Sequence, residues 1–242
     1  MKFWIFFAFV CLLIVSIVIM RNPSTDPTVL IMLGAPGAGK GTQAIHLSDQ
    51  LKLPRISTGD LFRENLKKNT DLGKQARAYM EKGELVPDPL VLSMLFKRVD
   101  QKDCKKGYIL DGFPRTIPQA IALDEKLSAA KSQTIVLSLE VPDEEVVDRL
   151  TGRLICEVCQ APYHKKAHPP KQDKICDRCG GHLIQRADDS EAVVRDRLQV
   201  FHEQTEPLKE YYRVQEKLIL IDGSLSKENT MAQIDASLKK IG

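Results

Sequence analysis

The chain has 242 residues, 43% of them hydrophobic, and this length can bury the core of about one main domain with inserts. Its formal net charge of +3 is mild, and no long basic block or interleaved basic-aromatic stripe occurs, which argues against nucleic acid as the main partner. The sequence contains no internal repeat and no low-complexity segment.

The N-terminal stretch is strongly apolar. Residues 3–20, FWIFFAFVCLLIVSIVIM, carry no charge and reach the roughly 18 to 20 residues that a membrane-spanning helix needs. We expect an N-terminal anchor followed by a short polar linker, so that residues 1–27 form a segment of their own. Two alternatives stay open: a cleaved signal peptide, although no small-residue cleavage site is present, and a start assigned too far upstream, with translation beginning at Met20.

A glycine-rich loop follows the first apolar run of the remaining chain. Val29–Leu33 is predicted to be a buried parallel strand, GAPGAGKGT (residues 34–42) a loop, and Thr42–Leu47 the start of a helix. In this order the loop N–H groups and the helix N-terminus make an anion site, to which Lys40 adds a positive charge. Gly41 departs from the common G-x-x-x-x-G-K-[ST] pattern, and an ordinary glycine-rich turn is the alternative.

Short apolar runs and long helix-period stretches alternate along the rest of the chain. The further runs are Leu53–Ser57, which is weak, Tyr108–Leu110, Thr134–Leu139 and Leu218–Ile221, and the helical stretches include residues 88–103 and 191–215. This alternation predicts an α/β fold with a parallel sheet covered on both faces. Ligands of such sheets bind beyond the carboxyl ends of the strands, which is where the glycine-rich loop falls.

Asp111 directly follows the run Tyr108–Leu110. A carboxylate at the end of a buried strand beside a phosphate loop suits the support of Mg²⁺, which prefers oxygen ligands and keeps its waters. A plain turn residue before Gly112 is the alternative, and for Asp111 taken alone it would be the better interpretation.

Four of the six cysteines form two close pairs, Cys156-x-x-Cys159 and Cys176-x-x-Cys179, with sixteen residues between the pairs. Four thiolates at this spacing can close a tetrahedron around one metal ion with no open position, so we predict a structural zinc site. Two disulfides or a redox pair are the alternatives.

Three histidines lie near this cluster, and two further cysteines lie outside it. His164, His168 and His182 lie close enough in the sequence to compete as zinc ligands, although a lone histidine is more often solvated or part of a core. Cys11 and Cys104 lie outside the cluster and are interpreted as incidental apolar residues.

Taken together, the motifs resemble those of the adenylate kinase family in order and spacing. They are GAPGAGKGT (residues 34–42), STGDLFR (57–63), GELVPD (83–88), LDGFPRTIPQA (110–120) and RADDSEAVVRDRL (186–198). The resemblance covers residues 28–242. It also identifies Gly41 as a family signature, because adenylate kinase loops carry GKGT, with Thr42 as the nearest hydroxyl.

The resemblance implies a role for each matching residue. ATP would be bound by Gly37, Ala38, Gly39, Lys40, Gly41, Thr42, Arg149, Arg153 and Tyr163. AMP would be bound by Thr58, Arg63, Glu84, Leu85, Val86, Gly112, Arg115, Gln119, Arg186 and Arg197. The catalytic set would be Lys40, Asp111, Arg115, Arg153, Arg186 and Arg197. Asp111, with Asp60 as a second candidate, would orient waters on Mg²⁺, and the arginines suit the chemistry because a guanidinium binds phosphate oxygens in pairs.

The resemblance also implies an organisation of the chain. The domain at residues 28–242 would be a three-layer α/β phosphate-loop kinase core with two inserts, a segment for the nucleoside monophosphate at 57–86 and a zinc-type lid at 152–189. The lid resembles the long cysteine-bearing lid of many bacterial adenylate kinases, from which Ala167 and His168 depart. Both inserts are expected to move, because closure would exclude water that could otherwise accept the phosphoryl group.

Three functions follow as hypotheses. The motifs favour reversible phosphoryl transfer from ATP to AMP, giving two ADP, with Mg²⁺ bound alongside ATP, a structural Zn²⁺ and a monomeric chain. A sibling kinase with another monophosphate as acceptor or GTP as donor is the second hypothesis. A non-catalytic, membrane-tethered zinc-binding module is the third, and the intact Lys40 and arginine set argue against it.

We expect the catalytic part to lie in the cytoplasm. Lys2 and the amino terminus carry slightly more positive charge than Arg21 does on the other side of the apolar stretch, and the positive-inside rule would then place the folded part outside. Against this stand the need for cytosolic nucleotides and the four zinc-type thiols, which an oxidising compartment would tend to pair.

Overall fold

The structure is a computed structural model that describes residues 26–240. The predicted anchor at residues 3–20 lies outside this range and stays a prediction. Among the described residues, no helix combines the length and the apolar character that crossing a membrane requires.

Strands and helices alternate along the described chain. The strands are β1 (Thr28–Gly34), β2 (Arg55–Ser57), β3 (Gly107–Asp111), β4 (Gln133–Glu140), β5 (Arg153–Cys156), β6 (Pro162–His164), β7 (Leu183–Ile184) and β8 (Leu218–Asp222). The helices are α1 (Lys40–Leu51), α2 (Thr58–Lys67), α3 (Asp71–Lys82), α4 (Asp88–Val99), α5 (Ile117–Ala129), α6 (Asp143–Thr151), α7 (Glu191–Val200), α8 (Leu208–Arg213) and α9 (Lys227–Leu238).

The central sheet has five parallel strands in the order β2-β3-β1-β4-β8. This confirms the parallel sheet predicted from the apolar runs, including the weak run at residues 53–57, of which the last three residues form β2. The second sheet is small and antiparallel, in the order β6-β5-β7, and it lies within the predicted lid.

The middle strand β1 shows why the sheet is covered on both faces. Val29, Ile31 and Leu33 belong to the core cluster that contains buried side chains of α4 and α5. Leu30 and Met32 belong to the opposite cluster, with buried side chains of α1 and α9. Because successive side chains of a strand point to opposite faces, a run that is apolar throughout needs a helical layer on each side.

The carboxyl ends of the three neighbouring strands β1, β2 and β3 meet at one edge of the sheet. Asp111, at the end of β3, is the register partner of Met32 in β1 and of Ser57 in β2. Ser57 also caps α2, since its side chain accepts a hydrogen bond from the backbone N–H of Asp60. The fold therefore brings the glycine-rich loop, Asp111 and the start of α2 together.

Helix boundaries differ from two of the predicted helical stretches. Residues 191–215 do not form one helix, because α7 passes into a π-helical turn at Phe201–Thr205 before α8 begins. Pro207 lacks the N–H that a continuous helix would use here, and Thr205 donates its hydroxyl to the carbonyl of Arg115 at 2.8 Å. In the stretch 88–103, α4 likewise ends at Val99 and a 3₁₀ turn follows at Lys102–Cys104.

Leu123 and Ile121 have side chains of similar size on α5, but only Leu123 lies in the core. Leu123 is 0% exposed, so Leu123→Ala should lower the free energy of unfolding by about 2–5 kcal/mol. Ile121, on the same helix, is 46% exposed, and Ile121→Ala should change it by about 0.5 kcal/mol or less. Denaturant unfolding of both variants measures the difference, and equal losses would contradict this core.

Candidate active site

The glycine-rich loop after β1 curls tightly against β4. Gly34, Gly37 and Gly39 have φ angles of 131°, 82° and 93°, which side-chain-bearing residues rarely adopt. At Gly34 a Cβ would lie 2.5 Å from the carbonyl oxygen of Leu139. Helix α1 starts directly after the loop with no side-chain cap and no acidic residue in its first turn. Its N-terminal N–H groups are therefore suited to an external anion.

Lys40 is folded back onto this loop. Its Nζ donates to the carbonyl oxygens of Gly34 at 2.7 Å and Ala35 at 2.6 Å. Burial lowers the pKa of Lys40 to about 7; the Asp111 carboxylate opposes this shift, and nearby arginines add to it. An anion bound on the loop would favour the charged lysine and raise this pKa again.

Asp111 takes part in a network of charges with Arg55 and Asp60. Arg55 donates from Nε at 3.1 Å and Nη2 at 2.5 Å to Oδ2 of Asp111, and from Nη1 at 2.9 Å to Oδ2 of Asp60. Arg63 pairs with the other oxygen, Oδ1, of Asp60 at 2.5 Å. Burial would raise the pKa of Asp60, but Arg63 and Arg55 lower it to about 2, so this carboxylate is charged throughout the physiological range.

The same network explains the glycine at position 41. A Cβ on Gly41 would lie 3.2 Å from Oδ2 of Asp111 and 3.3 Å from Nη2 of Arg55. The serine or threonine of the common phosphate-loop pattern would therefore crowd the Arg55–Asp111 ion pair. Thr42, one residue later, lines the adjoining cleft.

Arginines converge on this cleft from several elements, and buried carboxylates hold two of them. Arg153 donates to both carboxylate oxygens of Asp189, at 2.8 Å and 2.5 Å, and Asp189 is 0% exposed. Arg197 contacts the backbone carbonyl of Asp188 at 2.8 Å and its carboxylate at 3.0 Å. Neither aspartate is among the predicted site residues, although both lie in the RADDSEAVVRDRL motif.

The arginine side chains repel one another. Burial together with neighbouring arginines lowers the pKa of Arg115 to about 10, and the same two causes lower that of Arg186 to about 10. Both groups still carry a full charge at neutral pH. A cleft with this much unneutralised positive charge is suited to polyanions.

The cleft has a volume of about 570 Å³. Of the residues assigned to ATP by resemblance, those that line it are Gly37, Gly39, Lys40, Gly41, Thr42, Arg149 and Arg153. Ala38 is instead buried in the core. Arg149 donates to the Gly223 carbonyl at 2.8 Å and pairs with Glu145.

Tyr163, the remaining residue of that set, does not line the cleft. Its ring is buried in the lid, stacked on His168 with ring centroids 5.6 Å apart. Its hydroxyl accepts a hydrogen bond from the backbone N–H of Asp177 at 2.8 Å and contacts Sγ of Cys176 at 3.5 Å. In this conformation Tyr163 supports the cysteine cluster.

A smaller pocket of about 80 Å³ adjoins the cleft. Nine of the ten residues assigned to AMP line it, namely Thr58, Arg63, Glu84, Leu85, Val86, Gly112, Arg115, Gln119 and Arg197, while Arg186 lines the cleft. Gln119 accepts from the backbone N–H of Arg115 at 2.8 Å and donates to Asp88 at 2.6 Å. Within residues 26–240, Nε of Arg63 is buried without a hydrogen-bond partner, as expected for a group that awaits an anion.

The four clustered cysteines lie together in the lid. Their sulfur atoms are all within 4.8 Å of one another, and the Cys156–Cys179 and Cys159–Cys176 pairs are 3.5 Å and 3.6 Å apart. These distances exceed the roughly 2.05 Å of a disulfide bond and approach the edge of a zinc-thiolate tetrahedron, about 3.8 Å for Zn–S bonds of about 2.3 Å.

The environment of Cys176 favours the thiolate. Burial would raise the pKa of the Cys176 thiol, but hydrogen bonds from the Tyr163 hydroxyl and from the backbone of Arg178 and Cys179 lower it to about 6. Among residues 26–240 the cluster contains no histidine. His164 is engaged elsewhere, since its Nδ1 accepts from the backbone N–H groups of Lys166 and Ala167 at 3.1 Å and 3.0 Å.

Arg55 lies at the centre of the site but is not among the residues predicted from the sequence. It is the first residue of β2, two residues before Ser57 and the STGD segment. The sequence does contain a signal for Arg55, because it is a cation near the carboxyl end of a predicted parallel strand and next to the STGD motif. Only the register of β2 against β3 places it beside Asp111.

Comparison with known proteins supports the resemblance. A family profile described as adenylate kinase matches residues 32–217. A protein of Methanosarcina barkeri named adenylate kinase is 50% identical over 212 residues, which is 87% of this chain and 98% of that protein. Adenylate kinases of Archaeoglobus fulgidus and Lachnospira eligens are each 52% identical, over 88% and 85% of this chain and 98% and 97% of their own lengths.

The lowered pKa of Lys40 tests whether this side chain is buried in the protein without ligand. In the protein without ligand, the lysine should be charged well below pH 7 and lose its proton as the pH rises through about 7, compared with an ordinary value of 10.5. Side-chain NMR of labelled lysines measures this titration, with Lys40→Arg to assign the signal. A Lys40 signal that titrates at its ordinary value would contradict the assigned burial.

Proposed function

The chain belongs to the adenylate kinase family and catalyses phosphoryl transfer from ATP to AMP, giving two ADP, and we propose that this transfer takes place in the cleft. One observation carries the proposal. The cleft beside the glycine-rich loop and the smaller pocket share Arg63, Arg115 and Arg197 in their linings. A nucleotide in each space would present its phosphates to the same arginines, which is the arrangement that transfer between two nucleotides requires.

The loop and Lys40 are proposed to bind the ATP phosphates. The N–H groups of the loop and of the first turn of α1 supply donors, and Lys40 would exchange the carbonyls of Gly34 and Ala35 for phosphate oxygens. Because the side chain would move rather than the backbone, the loop can hold phosphate without refolding. Arg149 and Arg153, which line the same cleft, are proposed to contact ATP as well.

The smaller pocket is proposed to bind AMP. Arg63 and Arg115 would hold its phosphate, while the backbone from Glu84 to Val86 and Gly112 would line the space for the adenine ring. The hydroxyl of Thr58 donates to the carbonyl of Gly112 at 2.8 Å, which ties the start of α2 to this wall. Gln119 is held in place by Asp88 and the backbone of Arg115.

The arginines are proposed to stabilise the transition state. During transfer, charge spreads over the oxygens of the moving phosphoryl group, and fixed cations around it lower the barrier. Arg153 and Arg197 are held by buried or half-buried aspartates, so little reorganisation is needed at the moment of reaction. No general base is required, because the attacking oxygen of the AMP phosphate is already anionic.

Adenylate kinases use Mg²⁺ together with ATP, and the residues of this site fit such an ion. Both hydrogen bonds that Asp111 accepts within residues 26–240 end on Oδ2, so Oδ1 is available to a metal-bound water. When bound with ATP, Mg²⁺ would neutralise part of the phosphate charge. We assign Asp111 to the orientation of these waters, with Asp60 as its neighbour.

The four cysteines of the lid are proposed to bind one structural zinc ion. The donor set is all sulfur, and the sulfur spacing is close to tetrahedral. The small core of the lid includes Cys156 and Cys176 together with Tyr163, and Cys159 packs against it. With four protein ligands no position is left for catalysis. The ion would hold the antiparallel sheet and the loops of the lid together.

We further propose that residues 57–86 and 152–189 form the two mobile inserts. Gly152 lies at the start of the second insert, and a Cβ there would be 2.1 Å from Nε2 of His164. Lys165 donates its backbone N–H to the carbonyl of Gly152 at 2.8 Å. These contacts pack the start of the insert closely against its own residues His164 and Lys165. The N-terminal anchor, the cytoplasmic location and the monomeric state stay predictions from the sequence.

Two substitutions test the proposed roles. Lys40→Ala should lower turnover by about a hundredfold to a thousandfold without unfolding the protein, because the lysine serves phosphate charge and packs no core. Arg115→Ala should raise the KM for AMP more than that for ATP. Coupled assays of ADP formation and thermal unfolding measure both, and the exposed Lys97→Ala is the control.

A Lys40→Ala protein with near-normal turnover would contradict the proposed mechanism. The same assay with UMP, CMP or GMP as acceptor, or with GTP as donor, tests whether this chain is a sibling kinase. We expect AMP and ATP to give the highest kcat/KM.

Zinc removal tests the lid. Protein purified without added metal should contain about one zinc ion per chain, and chelation should expose lid backbone to proteolysis before the core unfolds, because the core has apolar strands of its own. Metal analysis and limited proteolysis measure the two effects. Cys176→Ser should abolish the zinc content, whereas Cys104→Ser, outside the cluster, should keep it. Isolation of the protein with two disulfides and no metal would refute the assignment.

A further inference from the structure

We propose that Arg55 determines how strongly nucleotide binding depends on a divalent cation, by neutralising the carboxylates that face the metal-bound waters. The inference rests on the proposed assignment of Asp111 and Asp60 to those waters. It concerns a residue that takes no part in the proposed binding of either nucleotide.

Arg55 is held between the two carboxylates. Its Nε and Nη2 both donate to Oδ2 of Asp111, and its Nη1 donates to Oδ2 of Asp60. Three nitrogen atoms of the guanidinium are therefore hydrogen-bonded to two aspartates. The side chain is 23% exposed and lines the cleft. Its position is set by β2, which pairs Arg55 with Ile109 and so carries the guanidinium towards the carboxyl end of β3.

These contacts occupy three of the four carboxylate oxygens of Asp60 and Asp111. Both oxygens of Asp60 are engaged, Oδ2 by Arg55 and Oδ1 by Arg63 and, at 4.0 Å, by Arg186. Oδ1 of Asp111 is the one oxygen of the two carboxylates that accepts no hydrogen bond from residues 26–240. A divalent cation in the cleft would therefore face one free carboxylate oxygen and a fixed guanidinium charge.

The charge of Arg55 acts in opposite directions on the two ligands. It repels a divalent cation near Asp111, and it attracts the phosphates of a nucleotide that carries no metal. A guanidinium keeps its charge at every working pH, so this contribution is constant. With Arg55 present, the cleft should bind metal-free nucleotide more tightly, and the divalent cation more weakly, than with a neutral residue at this position.

Gly41 supports this interpretation independently. A Cβ at position 41 would approach Nη2 of Arg55 to 3.3 Å and Oδ2 of Asp111 to 3.2 Å. The loop that is proposed to hold phosphate therefore packs directly on the ion pair. A charge at this distance from the loop is close enough to affect both phosphate and metal.

The experiment measures binding rather than turnover. Mn²⁺ replaces Mg²⁺ as the probe, and its affinity for the complex with a non-hydrolysable ATP analogue is measured by electron paramagnetic resonance. The affinity of the analogue itself is measured by calorimetry in excess chelator. In Arg55→Gln, Mn²⁺ should bind about fivefold more tightly and the metal-free analogue about fivefold more weakly, as expected for the loss of one unit charge in a solvated cleft.

Two further variants separate charge from structure. Arg55→Lys keeps the charge and should retain most of both affinities, whereas a purely structural role of the guanidinium would make it behave like Arg55→Gln. Arg98→Gln removes the same charge from an ion pair with Asp103 outside the cleft, and should change neither affinity. Thermal unfolding of each variant checks that it is folded under the conditions of the binding measurements.

Unchanged Mn²⁺ affinity in a folded Arg55→Gln protein would overturn the inference, as would equal effects in Arg98→Gln. If Arg55→Gln does not fold, the test is made on the wild-type protein by NMR. The Arg55 Nε–H signal should shift when Mg²⁺ is added to the complex with the analogue. An unshifted signal would overturn the inference. The variant Asp111→Asn distinguishes failure of the inference about Arg55 from failure of the proposed metal assignment. Weaker Mn²⁺ binding in that variant supports the metal assignment whatever Arg55 does, and unchanged binding refutes that assignment itself.

Discussion

Mutual repulsion among the cations of one cleft is the constraint on which the rest of this structure depends. Lys40, Arg115, Arg153, Arg186 and Arg197 face the same space, and no buried site could hold them without compensation. The chain supplies that compensation with buried or half-buried carboxylates, among them the fully buried Asp189 beneath Arg153. Burial, together with the charge of the neighbouring arginines, lowers the pKa of Lys40 to about 7 in the absence of ligand. Binding of phosphates would relieve this repulsion.

The sheet provides the rigid support for these charges. Parallel strands bring their carboxyl ends to one edge, so the glycine-rich loop, Arg55 and Asp111 meet although they are far apart in sequence. Apolar clusters on both faces fix the strands in register. A shift of one residue would turn the core-facing side chains of a strand to its other face, so the position of the site and the stability of the core have the same origin.

The elements around the sheet each have a local reason for their shape. The lid has a small core of its own, made of Cys156, Tyr163, Cys176 and Leu183, which is too small to be stable in isolation and is therefore suited to a metal ion. On the other side, the π-helical turn after α7 lets Thr205 donate to the carbonyl of Arg115. This departure from regular helical structure thus lies next to a group that carries charge in the cleft.

The fold class, the family and most of the residues that line the two pockets could be predicted from the sequence alone. Apolar runs and glycine positions depend on local backbone and burial preferences, and the C-x-x-C pairs depend on short-range ligand spacing, so each can be recognised without knowing what lies across the sheet. Arg55, Asp188 and Asp189 could not be recognised in this way, because their roles depend on partners that only strand register and helix packing bring near. The position of Tyr163 inside the lid, the break in the stretch 191–215 and the close approach of Gly41 to the Arg55–Asp111 pair have the same origin. Each depends on the tertiary structure, where contacts between distant segments outweigh local preference.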